Sequence, residues 1–170
     1  MKSVSAKKIA FTAAFGALCF VVTYAVAIPI GIGYLNFGDV VVLLAGWLLG
    51  PLFGAIAAGI GASLSDLLLG YIVYFPATLI TKALVAVIAG AIARKCRFSL
   101  LGYILSAFVA EIFMMAGYFA YEALLYSAET AVASLLSVNL LQGCVCAAVG
   151  AIAVFVLDKT SVKKRFFAEF

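Results

Sequence analysis

The stretch "GASLSDLLLGYIVYFPATLITK", residues 61–82, sets an acid, Asp66, and a base, Lys82, among residues that are otherwise mostly apolar. An ionised group in a bilayer core costs at least ~2.5–3.5 kcal/mol, so side chains of this kind need a reason to be there. Further groups of the same kind follow. Glu111, Met115, Tyr118 and Glu122 recur at intervals of four, three and four, which puts them on one face of a helix. Asn139 and Gln142 lie three apart, and Asp39 opens another apolar run. Carboxylates, an ammonium, carboxamides and phenols are the donors and acceptors that hold a small polar ligand. Hydrolytic or redox chemistry is less well served. The chain has no histidine, hence neither the commonest general base nor the commonest metal ligand. Cys19, Cys96, Cys144 and Cys146 fit neither a zinc site nor a disulfide framework, and read as small apolar fillers. No metal and no cofactor is expected.

The elements that must position these groups are helices in lipid. Of 170 residues, 68% are hydrophobic and 11% charged, about half the charged share of a soluble domain. The apolar runs are continuous rather than alternating, which favours helices over a barrel. The expected fold is an all-α integral membrane protein: a six-transmembrane-helix bundle forming one domain over 1–170, with helices near 9–28, 39–50, 53–70, 76–94, 99–126 and 132–157. No cleavable leader is expected. The second segment is short, and "LLGPLFG" at 48–54 allows only a tight turn into the third. No internal repeat is visible, which argues against an inverted-repeat carrier.

Orientation follows from charge. Lys2, Lys7, Lys8, Arg94, Lys95, Arg97, Lys159, Lys163, Lys164 and Arg165 all fall on one side if the N-terminus is cytoplasmic, leaving only Lys82 within a span. The positive-inside rule then puts both termini in the cytoplasm. The basic tail "DKTSVKKRFF" reads as a topology anchor against lipid headgroups rather than a nucleic-acid site. At about 1.5 Å per residue, Asp66 lies roughly 6 Å and Lys82 roughly 9 Å below the external surface. Most of the remaining polar groups gather in that outer half, and the cytoplasmic half has almost none. Polar glue between helices, about 0.6 kcal/mol per contact, explains one or two such groups; a set gathered at one depth reads as a pocket open to the outside. Tyr34, Phe37, Tyr71, Tyr74 and Phe75 lie at the same face, as in an aromatic belt. The glycine-rich segment "IPIGIGYLNFGD", residues 28–39, suits a lid over the pocket mouth. On the first helix, Ala10 and Ala14, and Ala13 and Ala17, make small-residue faces, as does "GAIAAGIGAS" at 54–63, so a second helix or another subunit can approach closely.

Taken together, N-x-G-D, then L-G-P-x-x-G, then G-x-x-x-x-D-L-L-x-G-Y, then P-A-T-x-x-x-K within residues 33–90 resemble the substrate-binding S components of energy-coupling factor (ECF) transporters. "AEIFMMAGYFAYEALLY" and "NLLQG" extend the resemblance through the last two helices. It is closest to members of the hydroxymethylpyrimidine or pyridoxine type. The resemblance implies a non-enzymatic subunit of an ABC vitamin importer in a prokaryotic cytoplasmic membrane. Its partners would be a small vitamin, membrane lipid, a transmembrane coupling subunit and two ATPase subunits, with no nucleic acid. Ala13 and Ala17 match the A-x-x-x-A that faces the coupling subunit in related S components, and the loaded subunit is thought to topple in the membrane. The chain has no G-x-x-x-x-G-K-[ST] phosphate loop, so ATP is hydrolysed elsewhere. On this reading the ligand is held by Asn36, Asp39, Asp66, Tyr71, Tyr74, Lys82, Glu111, Tyr118, Glu122, Asn139 and Gln142. Lys82 would meet an acidic group of the ligand or neutralise Asp66 or Glu111. The alternatives are another vitamin such as pantothenate or riboflavin, a membrane enzyme using Asp66, Glu111 and Glu122, a channel, or a purely structural subunit. A channel would need a polar path through both leaflets.

Overall fold

A computed structural model describes residues 5–160; of the basic residues from which the orientation is expected, Lys2, Lys163, Lys164 and Arg165 lie outside the described residues. The Ser5 hydroxyl accepts from the Lys7 amide at 3.2 Å and so caps helix α1, Ala6–Ala25. Two short strands follow, β1 (Ile28–Ile30) and β2 (Gly33–Leu35), paired antiparallel with Pro29 opposite Tyr34. Gly31, at φ +61°, makes the turn between them. Helix α2 covers Gly38–Leu69, a 3₁₀ turn Ile72–Tyr74 leads into α3 (Phe75–Lys95), and α4 runs Leu100–Leu125. The last stretch is compound: α5 (Ala128–Ser134), a π-helical turn Leu135–Asn139, then α6 (Leu140–Asp158).

Five helical stretches, 6–25, 38–69, 72–95, 100–125 and 128–158, are long and apolar enough to cross a membrane. Two expectations change in detail. The lid segment is a β-hairpin, so the protein is mostly rather than wholly helical. The segments expected at 39–50 and 53–70 form one helical element broken at a single residue. Gly50 has φ 79° and ψ 174°, outside the helical region and open only to a residue without Cβ strain. Pro51 starts the second limb, where its missing N–H costs nothing. The limbs double back: a Cβ on Gly54 would stand 2.7 Å from the Ala45 carbonyl oxygen. In a straight helix Asp39 and Asp66 would be about 40 Å apart. The bend instead brings both ends of α2 beneath the hairpin. At the opposite end, Lys8 lies over the Phe53 ring at 5.8 Å and the Arg94 guanidinium reaches Gly50.

Packing relies on small residues, because lipid supplies no hydrophobic drive between helices. A Cβ on Gly46 would collide with the Ala86 carbonyl, and one on Gly90 with the Gly46 carbonyl, so the first limb of α2 lies backbone to backbone with α3. Gly61 meets the Gly16 carbonyl in the same way, joining the second limb to α1. Trp47 is buried; its indole N–H donates to the Ser106 hydroxyl at 2.9 Å, and its ring meets Tyr103 edge-on at 5.2 Å, which fastens α2 to α4. Polarity is distributed as in a protein solvated by lipid. Leu52, Leu68, Ile80 and Leu101 are each more than 60% exposed, while Asp39, Asp66, Lys82, Glu111 and Glu122 are each at most 3% exposed.

Gly46→Leu is expected to destabilise the purified protein by about 1–3 kcal/mol or more, since the α2–α3 backbone contact leaves no room for a side chain. Gly33→Ala, with no atom within 4 Å of the added methyl, is expected to leave the thermal midpoint in detergent near wild type. Equal midpoints for the two variants would contradict the packing described.

Candidate functional site

The hairpin covers a small polar cavity, and the residues around it are tied by one network. At its base Lys82, on α3, donates to Asp39, at the start of α2, with Nζ 2.6 Å from Oδ1 and 2.8 Å from Oδ2. The Gln142 amide nitrogen, from α6, donates to the same Oδ2 at 2.6 Å. The Gln142 carbonyl oxygen then accepts from the Asn36 backbone and side-chain N–H groups at 3.0 and 3.2 Å. Asn36 Oδ1 accepts from the Gly38 amide at 2.8 Å, satisfying one of the free N–H groups at the start of α2. One chain of bonds therefore links α3, α2 and α6 to the loop that carries the hairpin.

The other edge of the hairpin is held by Tyr34, whose hydroxyl donates to Asp66 Oδ1 at 2.6 Å. Burial, and then the Asp66 carboxylate beside it, push the Tyr34 hydroxyl well above its ordinary range, so it stays a donor. The Tyr71 ring lies 5.0 Å from that of Tyr34, and its hydroxyl donates to the Gly33 carbonyl at 3.4 Å. Deeper in, the Thr78 and Tyr118 hydroxyls share a bond of 2.9 Å, and the Lys82 ammonium sits 5.1 Å from the Tyr118 ring centre. On the α4 side Glu122 Oε1 accepts from the Tyr74 hydroxyl at 3.1 Å and the Ser134 hydroxyl at 3.0 Å. The Asn139 amide reaches Ser134 at 3.4 Å. Tyr121 donates to the Val73 carbonyl, which fixes the 3₁₀ turn against α4.

The structure brings eight of the eleven sequence-predicted ligand residues onto the cavity wall: Asn36, Asp66, Tyr74, Lys82, Tyr118, Glu122, Asn139 and Gln142. The other three stand behind or beside it. Asp39 is fully buried and holds Lys82 and Gln142 from the rear. Tyr71 braces Tyr34. Glu111 is buried next to Gly143 and Met114, and neither carboxyl oxygen makes a hydrogen bond. Where the sequence suggests that Lys82 meets an acidic group of the ligand or, in the empty site, neutralises Asp66 or Glu111, its ion-pair partner is Asp39, because the bend at Gly50 returns the start of α2 to the level of Lys82. The sequence reading did not single out Tyr34, Thr23, Thr78 or Ser134 as ligand residues, although all four line the cavity. Tyr34 had a signal, its place in the glycine-rich lid, but lone threonines and serines in apolar helices are too common to carry one. The π-helical turn Leu135–Asn139 is a further feature of the wall. Such a turn shifts the register of a helix, here where Val138 and Asn139 meet the cavity.

The space beneath the hairpin is about 40 Å³. That is room for a few waters and no more. The hairpin lies over the mouth, held by Tyr34 on Asp66 and, just beyond its second strand, by Asn36 on Gln142. The flank of the bundle carries a different feature: an apolar groove of about 540 Å³ running along α1 and the second limb of α2, in which Ala13 and Ala17 are exposed beside Phe53 and Ile60.

The family model of the ECF-type riboflavin transporter S component matches residues 3–159 of this chain. An uncharacterised protein of Pyrococcus woesei is 37% identical over 111 residues, covering 64% of this chain and 72% of the relative.

Lys82→Ala leaves Asp39 buried without its counter-ion, and is expected to cost about 3–5 kcal/mol of stability. Asp39→Asn combined with Lys82→Met removes both charges and is expected to recover most of that loss. Thermal unfolding of the two variants and the wild type checks this; a double variant no more stable than Lys82→Ala would count against the pair as the organising contact.

Proposed function

We propose a function for this chain from one premise: it belongs to the family of ECF-type riboflavin transporter S components. It is therefore a multi-pass transport protein, not an enzyme, and the substrate-binding subunit of a vitamin transporter that works with an ECF module. The finer reading is that it captures a single-ring, water-soluble vitamin or precursor, of the hydroxymethylpyrimidine or pyridoxine type, in the cavity beneath the hairpin. The observation that carries this reading is the buried polar network around that cavity, built from four parts of the chain and closed by a short lid. Aromatic walls at Tyr74 and Tyr118 suit a ring, for which a well-placed stack adds about 0.5–1.5 kcal/mol beyond buried area.

A cavity of about 40 Å³ holds no vitamin, so the hairpin must lift and Tyr34 must leave Asp66 before a ligand enters. The opening needed for one ring is smaller than that for three fused rings. Riboflavin is the second reading, favoured by the name of the matching family. Membrane orientation follows from charge. Lys7, Lys8, Arg94, Lys95, Arg97 and Lys159 lie at helix ends away from the hairpin, so the positive-inside rule turns the cavity outward and both termini to the cytoplasm of a prokaryotic cell. In this topology the two limbs of α2 count as separate passes, six in all. The groove bearing Ala13 and Ala17 would receive the transmembrane coupling subunit, which two ATPase subunits drive.

Thermal stabilisation of the detergent-purified chain by a panel of vitamins tests the reading. A ligand at 100 times its Kd is expected to add about 2.7 kcal/mol. A single-ring compound should give the largest shift, and Asp66→Asn should lose it. A shift from riboflavin alone would select the second reading, and none from any vitamin would sink both. Tyr34→Phe removes the group that competes for Asp66 in the empty site, and is expected to tighten binding by up to about tenfold, roughly 1.4 kcal/mol. Ala13→Leu with Ala17→Leu should bind ligand normally yet fail to co-purify with the coupling subunit.

A further inference from the structure

The charges around the cavity do not balance. Lys82 is the one basic side chain on its wall among the described residues, and both oxygens of Asp39 hold its ammonium from behind. The positive charge is therefore spent before a ligand arrives. Two acids remain on the wall, Asp66 from α2 and Glu122 from α4. Glu122 is 2% exposed, and its Oε1 is already taken by Tyr74 and Ser134, while Oε2 is buried with no hydrogen bond. On Asp66, Oδ1 is taken by Tyr34 and Oδ2 makes no hydrogen bond of its own. Thr78, whose hydroxyl shares a bond of 2.9 Å with Tyr118, stands beside Asp66 and can donate to it when Tyr118 is the donor of that bond. Glu111, buried outside the wall and unpartnered, adds a third acid to the surroundings.

A buried acceptor without a donor is costly, and a group that meets it on binding gains what the empty site lacks. An incoming carboxylate would gain nothing here: it would face two acids and an ammonium already matched. We propose that the cavity is built for a base, a heteroaromatic ring carrying an amino group or a protonated nitrogen that donates to Glu122 Oε2, with a second donor directed to Asp66. Acidic vitamins are excluded by the same two carboxylates. This deepens the vitamin-binding reading and rests on it.

Three compounds with one ring and different charge test the idea: pyridoxamine, pyridoxine and 4-pyridoxate, which carry an aminomethyl, a hydroxymethyl and a carboxylate group at the same ring position. A 4-aminopyrimidine and its 4-oxo counterpart form a second set. Calorimetry on the purified full-length chain is expected to rank the amino member at least tenfold tighter than the neutral one, with the acid weakest. Glu122→Gln, whose amide is uncharged and itself a donor, should abolish that ranking while the protein still unfolds cooperatively. Should this variant not fold, the ranking on the wild type decides alone. Binding of 4-pyridoxate or pantothenate as tight as any amine would overturn the proposal and leave vitamin capture standing. So would an amine preference that survives in folded Glu122→Gln. If no vitamin binds, both the proposal and the reading beneath it fall.

Discussion

The ion pair between Asp39 and Lys82 is the contact on which the arrangement of the site depends. Each charge taken from water into a low-dielectric interior costs several kcal/mol, which only close approach and further hydrogen bonds can offset. Here Nζ lies within 2.8 Å of both carboxylate oxygens, and Gln142 supplies an additional donor. The pair therefore needs α2, α3 and α6 at one place. Because Gln142 also holds Asn36, the same requirement fixes where the loop bearing the hairpin leaves the bundle. Support for the charge and closure of the cavity are one structure.

Backbone geometry makes the pair possible. Without the positive φ at Gly50, the start and end of α2 would sit at opposite ends of the molecule, and Asp39 could not share a site with Asp66. Without bare glycine at 46 and 90, α3 could not lie close enough to the first limb of α2 for Lys82 to reach Asp39 with a short bond. The glycines act at a distance from the cavity. They set the helix separations that give each polar side chain its partner.

Two regions of the molecule divide the work. Beneath the hairpin, polar groups are buried and mostly paired, and Asp66 and Glu122 on the cavity wall each keep one oxygen without a hydrogen bond. Away from it, exposed alanines in an apolar groove present a smooth surface on which another helix can lie. Such a separation suits a subunit that grips a small molecule at one membrane face and answers to a partner through another surface.

Much of this was legible in the residues. Apolar runs of membrane-spanning length, the placement of lysine and arginine, and the spacing of Glu111, Tyr118 and Glu122 are local properties, and a helix in lipid has few other ways to arrange them. Composition alone thus determined the membrane class, and the polar residue types marked helices whose side chains line the cavity. Which acid meets Lys82 was not local. Asp66 and Glu111 are the acids the sequence offers to Lys82, and the choice of Asp39 instead was made by the turn at Gly50 and the closeness of α3. The hairpin was equally hidden, since three-residue strands carry no period, and so was the place of Tyr34 on Asp66. Sequence determines what must be buried; only the tertiary structure decides with whom, because pairing depends on distances between segments that no spacing along the chain encodes.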